Sequence, residues 1–244
     1  MNQPTGGYTP KDLNFNEQAQ SKLINGITID LLLTDPPYGI NIVHSDILTI
    51  HNKVGFVGIE DKPKSSLAKA RKYKSIISDD KPFEPNFLLQ YGKTQIIFGA
   101  NHFANKLPNN SHWLVWDKKI EGGLDHNNFS DVELMWTNVN KKSALIYRHL
   151  WSGLLRTGDR KTELKERVHP TQKPVGLLSD IIKDYSDDEN IILDCYLGSG
   201  STLIACEQTN RICYGMELDP GYVDVIITRW ENYTGLHAKK LDTS

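Results

Sequence analysis

Between Ile191 and Glu217 the chain alternates apolar runs with turn residues in an order that leaves little choice of fold. Ile191–Leu193 is a short apolar run. Asp194-Cys195-Tyr196-Leu197-Gly198-Ser199-Gly200-Ser201-Thr202 is a glycine turn, Leu203–Thr209 is compatible with a helix, and Arg211–Met216 is a second run ending in Glu217. Strand, glycine turn, helix and strand make a parallel βαβ unit, which brings backbone N–H groups and a helix N-terminus close to a ligand. Without a Cβ at Gly198 or Gly200, a nucleoside can approach the main chain. Glu217 lies 19 positions beyond Gly198, close to the roughly 20-residue offset at which an acid meets ribose hydroxyls in nucleotide-binding units.

The turn lacks the Gly-Lys-Ser/Thr ending of a phosphate loop, and it opens on an acid. Asp194 disfavours a pyrophosphate and suits a cofactor with a cationic end, so S-adenosylmethionine fits better than NAD or ATP.

A second apolar run, Ile29–Leu33, reads as a buried parallel strand and stops at Asp35-Pro36-Pro37-Tyr38. Neither proline can donate to a sheet ladder, and each holds the preceding residue out of the α region. A carboxylate, a rigid carbonyl and an aromatic face therefore stand together at the carboxyl end of a strand, the edge where open α/β sheets bind ligands. That set suits a flat heterocycle bearing an exocyclic amine; the competing reading is an Asp-Pro turn with a buried tyrosine. One cleft holding an adenosyl cofactor and such an amine points to methyl transfer to nitrogen. Asp35 Oδ and the Pro36 carbonyl would accept the two N–H bonds of the amine, favouring a pyramidal nitrogen, and Tyr38 would stack on the base.

The run of motifs resembles a known family. DPPY, then His169-Pro170-Thr171-Gln172-Lys173-Pro174, then DCYLGSGST, then Gly215–Val225, is the motif order of the β-class amino-methyltransferases, in which the catalytic motif precedes the cofactor loop. Ile96–Phe103, Trp113–Lys118 and Phe129–Asn138 are similar to the compact adenine-N6 DNA methyltransferases of phages and prophages. Cys195 and Tyr196 stand where the family usually has Pro and Phe, and Ser201 replaces a Thr. The resemblance implies that Asp194, Gly198, Ser199, Gly200 and Thr202 line the methionine side of S-adenosylmethionine, that Glu217 holds its ribose, and that Lys173 and Thr171 sit near its carboxylate. For Lys173 the bland reading is a surface lysine before a helix. The implied partner is DNA, with a homodimer allowed because the family includes dimers; a companion restriction endonuclease is invisible from one chain. Asp at position 35 favours adenine over cytosine N4. Methylation of a protein glutamine amide is disfavoured by Asp35 and by the motif order, and a non-catalytic binding module by the intact motifs.

The 244 residues, 39% of them hydrophobic, suit one methyltransferase domain in a doubly wound, mostly parallel α/β sheet with an antiparallel strand or hairpin in its middle section. No apolar stretch approaches the ~20 residues of a membrane span, and Met1–Asn16 does not read as a signal peptide. Three cysteines at these spacings suit neither disulfides nor zinc, so the expected setting is the cytoplasm, without a structural metal. The formal net charge of −2 does not announce a nucleic-acid partner, but its distribution does more. Lys62, Lys64, Lys69, Arg71, Lys72 and Lys74 fall in an insertion at about 41–81. Arg148, Arg156, Arg160, Lys161, Lys165 and Arg167 fall at or within a loop at about 150–168. Both segments are candidates for phosphate contact and DNA recognition, against the ordinary alternative of a solvated basic face. Tyr147 and Trp151 add aromatic groups there, with core packing as the competing reading.

Expected helices are Glu17–Asn25, Phe87–Tyr91, Val175–Tyr185 and Tyr222 to about Tyr233. Strands are expected at Gln95–Phe98, His112–Trp116, Asp131–Trp136 and Ala144–Tyr147.

Overall fold

The computed structural model describes residues 26–40, 79–118, 130–152, 155–156 and 172–241. The expected helix at Glu17–Asn25, most of both basic segments and Thr171 lie outside them. The elements are β1 (Leu31–Thr34), β2 (Thr94–Phe98), β3 (Trp113–Asp117), β4 (Val132–Thr137), β5 (Leu145–Arg148), β6 (Trp151–Ser152), β7 (Leu155–Arg156), α1 (Val175–Tyr185), β8 (Ile191–Asp194), α2 (Ser201–Gln208), β9 (Ile212–Gly215) and α3 (Pro220–Thr234). Seven strands form one sheet in the order β5-β3-β4-β2-β1-β8-β9. β1 is parallel to both β2 and β8, β8 to β9, and β3 to β5. β4 runs against its neighbours β2 and β3. This is the doubly wound, mostly parallel sheet that the alternation of motifs calls for.

Leu31, Leu32 and Leu33 are fully buried, as expected of a central parallel strand covered on both faces. On one face Leu31, Leu33, Ile96 and Phe98 pack with Leu177, Leu178, Ile181 and Ile182 of α1 and with Ala205 and Cys206 of α2. On the other, Leu32, Ile97, Trp136 and Leu193 pack with Phe83, Leu88 and Phe103. A strand apolar on both faces cannot set its register by alternation. Asp30 sets it instead, since its carboxylate accepts the Ile191 N–H at 2.9 Å and the Lys93 ammonium at 2.8 Å.

Local chemistry moves several boundaries. α2 begins at Ser201, ahead of the expected Leu203, because Gly200 in the left-handed region starts the helix. α3 begins at Pro220, since the Asp219 side chain accepts the Gly221 N–H at 2.8 Å and a proline in the first turn has no donor to satisfy. Phe87–Tyr91 holds only a 3₁₀ turn, Leu88–Gln90. The stretch expected as an uninterrupted loop from Leu150 contains the antiparallel pair β6–β7. Tyr147 is a core residue whose hydroxyl donates to Asp184 at 2.7 Å, so the packing reading holds for it.

Candidate active site

The chain leaves β1 for β2 on one side and β8 for β9 on the other, so the boundary between β1 and β8 is the switch point of the sheet. Both predicted motifs leave the sheet there. Thr34 joins them: its hydroxyl donates to Asp194 Oδ1 at 2.7 Å and accepts the Cys195 N–H at 3.2 Å. Asp194 also takes the Tyr196 N–H at 3.1 Å and, on its other oxygen, the Thr202 hydroxyl at 2.6 Å. Burial pushes the Asp194 carboxyl above the usual range, and these donors offset only part of that. Asp194 thus bridges Thr34 and Thr202, forming the support of the glycine turn.

Further contacts hold the turn from outside. The Arg229 guanidinium of α3 donates to the Ser199 carbonyl. A Cβ on Gly200 would stand 3.2 Å from Ile226 of α3, so this glycine serves helix packing as well as turn geometry. Glu217, at the end of β9, accepts the Gly198 N–H and the Asp219 N–H, each at 2.9 Å, on its two oxygens. Its carboxyl is raised chiefly by burial. Backbone N–H groups of Asp219, Gly198 and Leu218 bear on this carboxylate without filling its lone-pair sites, which leaves an acceptor for a ribose hydroxyl. Beside it in the turn, the buried Ser201 hydroxyl has no hydrogen-bond partner among the described residues. A two-oxygen acceptor 19 residues from the glycine it holds, together with an unsatisfied hydroxyl at the helix start, fits a nucleoside cofactor.

On the β1 side, Tyr38 joins the charged residues Asp35, Glu133, Lys173 and Lys118 in a five-residue cluster. Tyr38 donates to Asp35 Oδ1 at 2.5 Å and lies 2.8 Å from Glu133 Oε1. The hydroxyl has one proton and so serves one carboxylate at a time. Lys173 bonds Asp35 Oδ2 and pairs with Glu133 Oε1 at 3.0 Å. Lys118 pairs with Glu133 Oε2 at 2.9 Å. Two carboxylates and two ammonium groups leave the cluster formally neutral, as buried charge must be. Burial raises the Asp35 carboxyl and the Lys173 cation opposes it, with a net rise. Burial acts the same way on Glu133, but Lys173 and Lys118 together hold it at about 2. Asp35 is therefore the proton-sensitive carboxylate of the pair.

The Tyr38 ring is fixed as firmly as its hydroxyl. It stacks on His102 with centroids 5.0 Å apart and planes 15° from parallel. A Cβ on Gly99 would fall 2.0 Å from the ring, and Gly99 has φ +62°, so two independent constraints demand glycine there. Asp79 accepts the Gly39 N–H at 3.0 Å and fixes the backbone just beyond the motif.

Asp35, Pro36, Pro37 and Tyr38 therefore follow β1 at the same edge as Asp194, Gly198, Ser199, Gly200 and Thr202, with Glu217 beside the turn. Lys173 stands with Asp35 and Glu133. Sequence reasoning gave no role to Glu133, Lys118, His102, Gly99 or Arg229. Glu133, Lys118, His102 and Gly99 lie within motif stretches, but Glu133 is 95 positions from Tyr38, and only the direction of β4 brings it to this edge. Cys195 is buried, and burial pushes its thiol well up. Among the described residues no His, Cys, Asp and Glu cluster could hold a metal, and no helix is long and apolar enough to cross a membrane.

Residues 62–228 match the DNA methylase family of N6 and N4 methylases. The type II methyltransferase M1.MboII of Moraxella bovis is 24% identical over 256 residues, covering 86% of this chain and 90% of that protein. The type II methyltransferase M.ScaI of Streptomyces caespitosus is 23% identical over 235 residues, covering 83% and 75%. The crystal structure of the M1.HpyAVI–SAM complex aligns at a TM-score of 0.47 with 19% identity, covering 88% of this chain and 96% of that one. A family match over more than half of its residues shows that the chain belongs to the DNA methylase family.

Proposed function

We propose that this protein transfers a methyl group from S-adenosylmethionine to the N6 amine of an adenine flipped out of DNA at a specific sequence. The observation that supports this best is the meeting of Asp35 and the glycine turn at one switch point, tied through the 2.7 Å bond from Thr34 to Asp194. When bound, S-adenosylmethionine supplies an electrophilic methyl group on a sulfonium that leaves as a neutral thioether. Glu217 would hold the ribose, and the backbone of Gly198–Gly200 would line the methionine side. Thr171 and Lys173, which precede α1 in the chain, would sit near the carboxylate of the cofactor.

The chain's own residues account for the activation of the amine. The N6 lone pair is delocalised into the ring and is a poor nucleophile. An Asp35 oxygen and the Pro36 carbonyl accept its two N–H bonds, and a nitrogen so held is pyramidal, its lone pair directed at the methyl carbon. With the cofactor held by Glu217 and the Gly198–Gly200 backbone, that lone pair would receive the methyl group, and the sulfonium would supply the thioether that leaves. The positive charge that develops on N6 faces Asp35, and the N6 proton then leaves to solvent. Flipping costs a few kcal/mol, and stacking on Tyr38, worth about 1–3 kcal/mol per base, offsets part of it. The basic segments at about 41–81 and 150–168 are the proposed DNA contacts.

Asp at position 35 favours adenine, whereas the family as a whole spans N6 and N4 amines. Sequencing of DNA from cells expressing the protein, with nucleoside chromatography, separates the two: N6-methyladenine at a defined site supports the proposal, and N4-methylcytosine replaces it. Asp35→Ala should lower methyl transfer at least ~10²-fold, as for loss of one preorganised transition-state partner, while leaving cofactor binding nearly unchanged. Near-wild-type turnover by that variant would remove Asp35 from the reaction.

A further inference from the structure

Both oxygens of Asp35 are taken before any substrate arrives. Oδ1 receives the Tyr38 hydroxyl at 2.5 Å, and Oδ2 receives the Lys173 ammonium. Each oxygen keeps a second lone pair, but Oδ2 lies against a cation, so an amine that develops positive charge beside Asp35 gains the carboxylate's full charge only when Lys173 moves off. The Tyr38 hydroxyl also has Glu133 Oε1 in reach, at 2.8 Å, but its ring is held by His102 and Gly99 and its oxygen stays against Asp35. The long Lys173 side chain, by contrast, can move onto Glu133 Oε1, 3.0 Å from its nitrogen. Moving fully onto Glu133, Lys173 keeps an ionic partner and is not left as an unpaired buried charge. Lys118, at 2.9 Å from the other Glu133 oxygen, keeps that carboxylate ionised to receive it.

We propose that Lys173 is a stand-in for the target amine: in the free protein its ammonium occupies the amine-accepting oxygen of Asp35, and the entering base shifts it onto Glu133, which acts as its second dock. Lys173 and Glu133 are positioning residues acting through Asp35. The arrangement gives Asp35 an ionic partner while the pocket is empty, and the exchange is between two hydrogen-bonded states of one carboxylate. A base without an exocyclic amine cannot make the exchange, so the cluster also selects for the amine.

This inference rests on the amine-methylation reading above, and its test separates the two. The groups facing Asp35 are Lys173 from the segment before α1, Glu133 on β4 with Lys118 behind it, Tyr38 from its own turn with His102 on the ring, and Asp194 at the end of β8. Removing the cation disfavours the carboxylate, and removing Glu133 favours it. The full-length protein and its Lys173→Met, Lys173→Arg and Glu133→Gln variants are assayed for kcat/KM against pH on a duplex carrying the site found by sequencing. Binding is measured without cofactor to that duplex and to one with purine, which lacks the 6-amino group, at the target position.

In Lys173→Met the acid limb of the profile should move up by about one pH unit or more, the scale of an opposite charge at this range, and the preference for adenine over purine should grow. In Glu133→Gln the limb should move down and the preference should shrink at least about threefold, a change of about 0.6 kcal/mol. Lys173→Arg should leave the limb in place. Glu133→Gln alone suffices if the methionine variant does not fold. An unmoved limb or an unchanged adenine preference in Glu133→Gln overturns the inference and leaves amine methylation standing. Absence of methylation by the wild-type protein overturns both.

Discussion

Thr34→Val is the perturbation that best tests how the two halves of the site are joined. Valine keeps the shape of threonine, so no large cavity opens, and the change isolates two hydrogen bonds. One is the 2.7 Å donation to Asp194 Oδ1, and the other is the 3.2 Å acceptance of the Cys195 N–H. A hydrogen bond to a charged group contributes about 1.5–3 kcal/mol, and a buried donor left without a partner costs about 1–3 kcal/mol. The two losses share one site and do not simply add, which puts the expected destabilisation at about 3 kcal/mol. At 2–4 °C per kcal/mol for a chain of this size, Tm should fall by about 6–12 °C. The sign of the pH dependence follows from Asp194. Its folded-state carboxyl is raised by burial, so its contribution to stability is fully present below the ordinary value of 3.8 and is lost as pH rises through the folded value. Removing the Thr34 donor raises that value further, so the deficit of Thr34→Val should be larger at pH 7 than near pH 4. Urea unfolding at both pH values, with calorimetry of S-adenosylmethionine binding, measures the effect. An unfolding free energy within about 0.5 kcal/mol of wild type at pH 7, with unaltered cofactor affinity, would refute the reasoning.

Other substitutions probe the remaining contacts. Glu217→Ala should weaken S-adenosylmethionine binding rather than the chemical step, and because Glu217 also holds the Gly198 and Asp219 N–H groups at 2.9 Å, the turn should exchange amide protons faster; an unmoved dissociation constant would exclude it from the cofactor site. Gly99→Ala places a methyl 2.0 Å from the Tyr38 ring. Methyl transfer should fall at least ~10²-fold as the ring and its bond to Asp35 shift, and full activity would show that Tyr38 is not held where it needs to be. Replacing Lys69, Arg71 and Lys72 together by Ala should weaken binding to all DNA sequences and flatten the salt dependence of log affinity by up to about 0.9 per lost contact, without altering site preference; an unchanged slope moves the DNA-facing surface to Arg156–Arg167.

The amino-acid sequence by itself determined the two motifs, their order and their place at strand ends. These depend on neighbours along the chain: prolines that cannot continue a ladder, glycines that admit a turn, and an acid at a set distance from them. The same local rules carried α1 and the parallel strands, whose apolar runs have no other stable use. What only the tertiary structure decided is which charges meet. Glu133 reaches Asp35 because β4 runs antiparallel and starts at the edge where β1 and β2 end. Lys173, 138 positions from Asp35 along the chain, meets the same carboxylate. Asp194 and Thr202, expected toward the methionine side of the cofactor, bond each other in support of the turn, and Asp194 is bound in turn by Thr34, a residue that as a sequence letter only follows the run Ile29–Leu33. Strand order and direction are non-local, and in a low-dielectric interior they set the partners of every buried charge, and with them the protonation on which the chemistry depends.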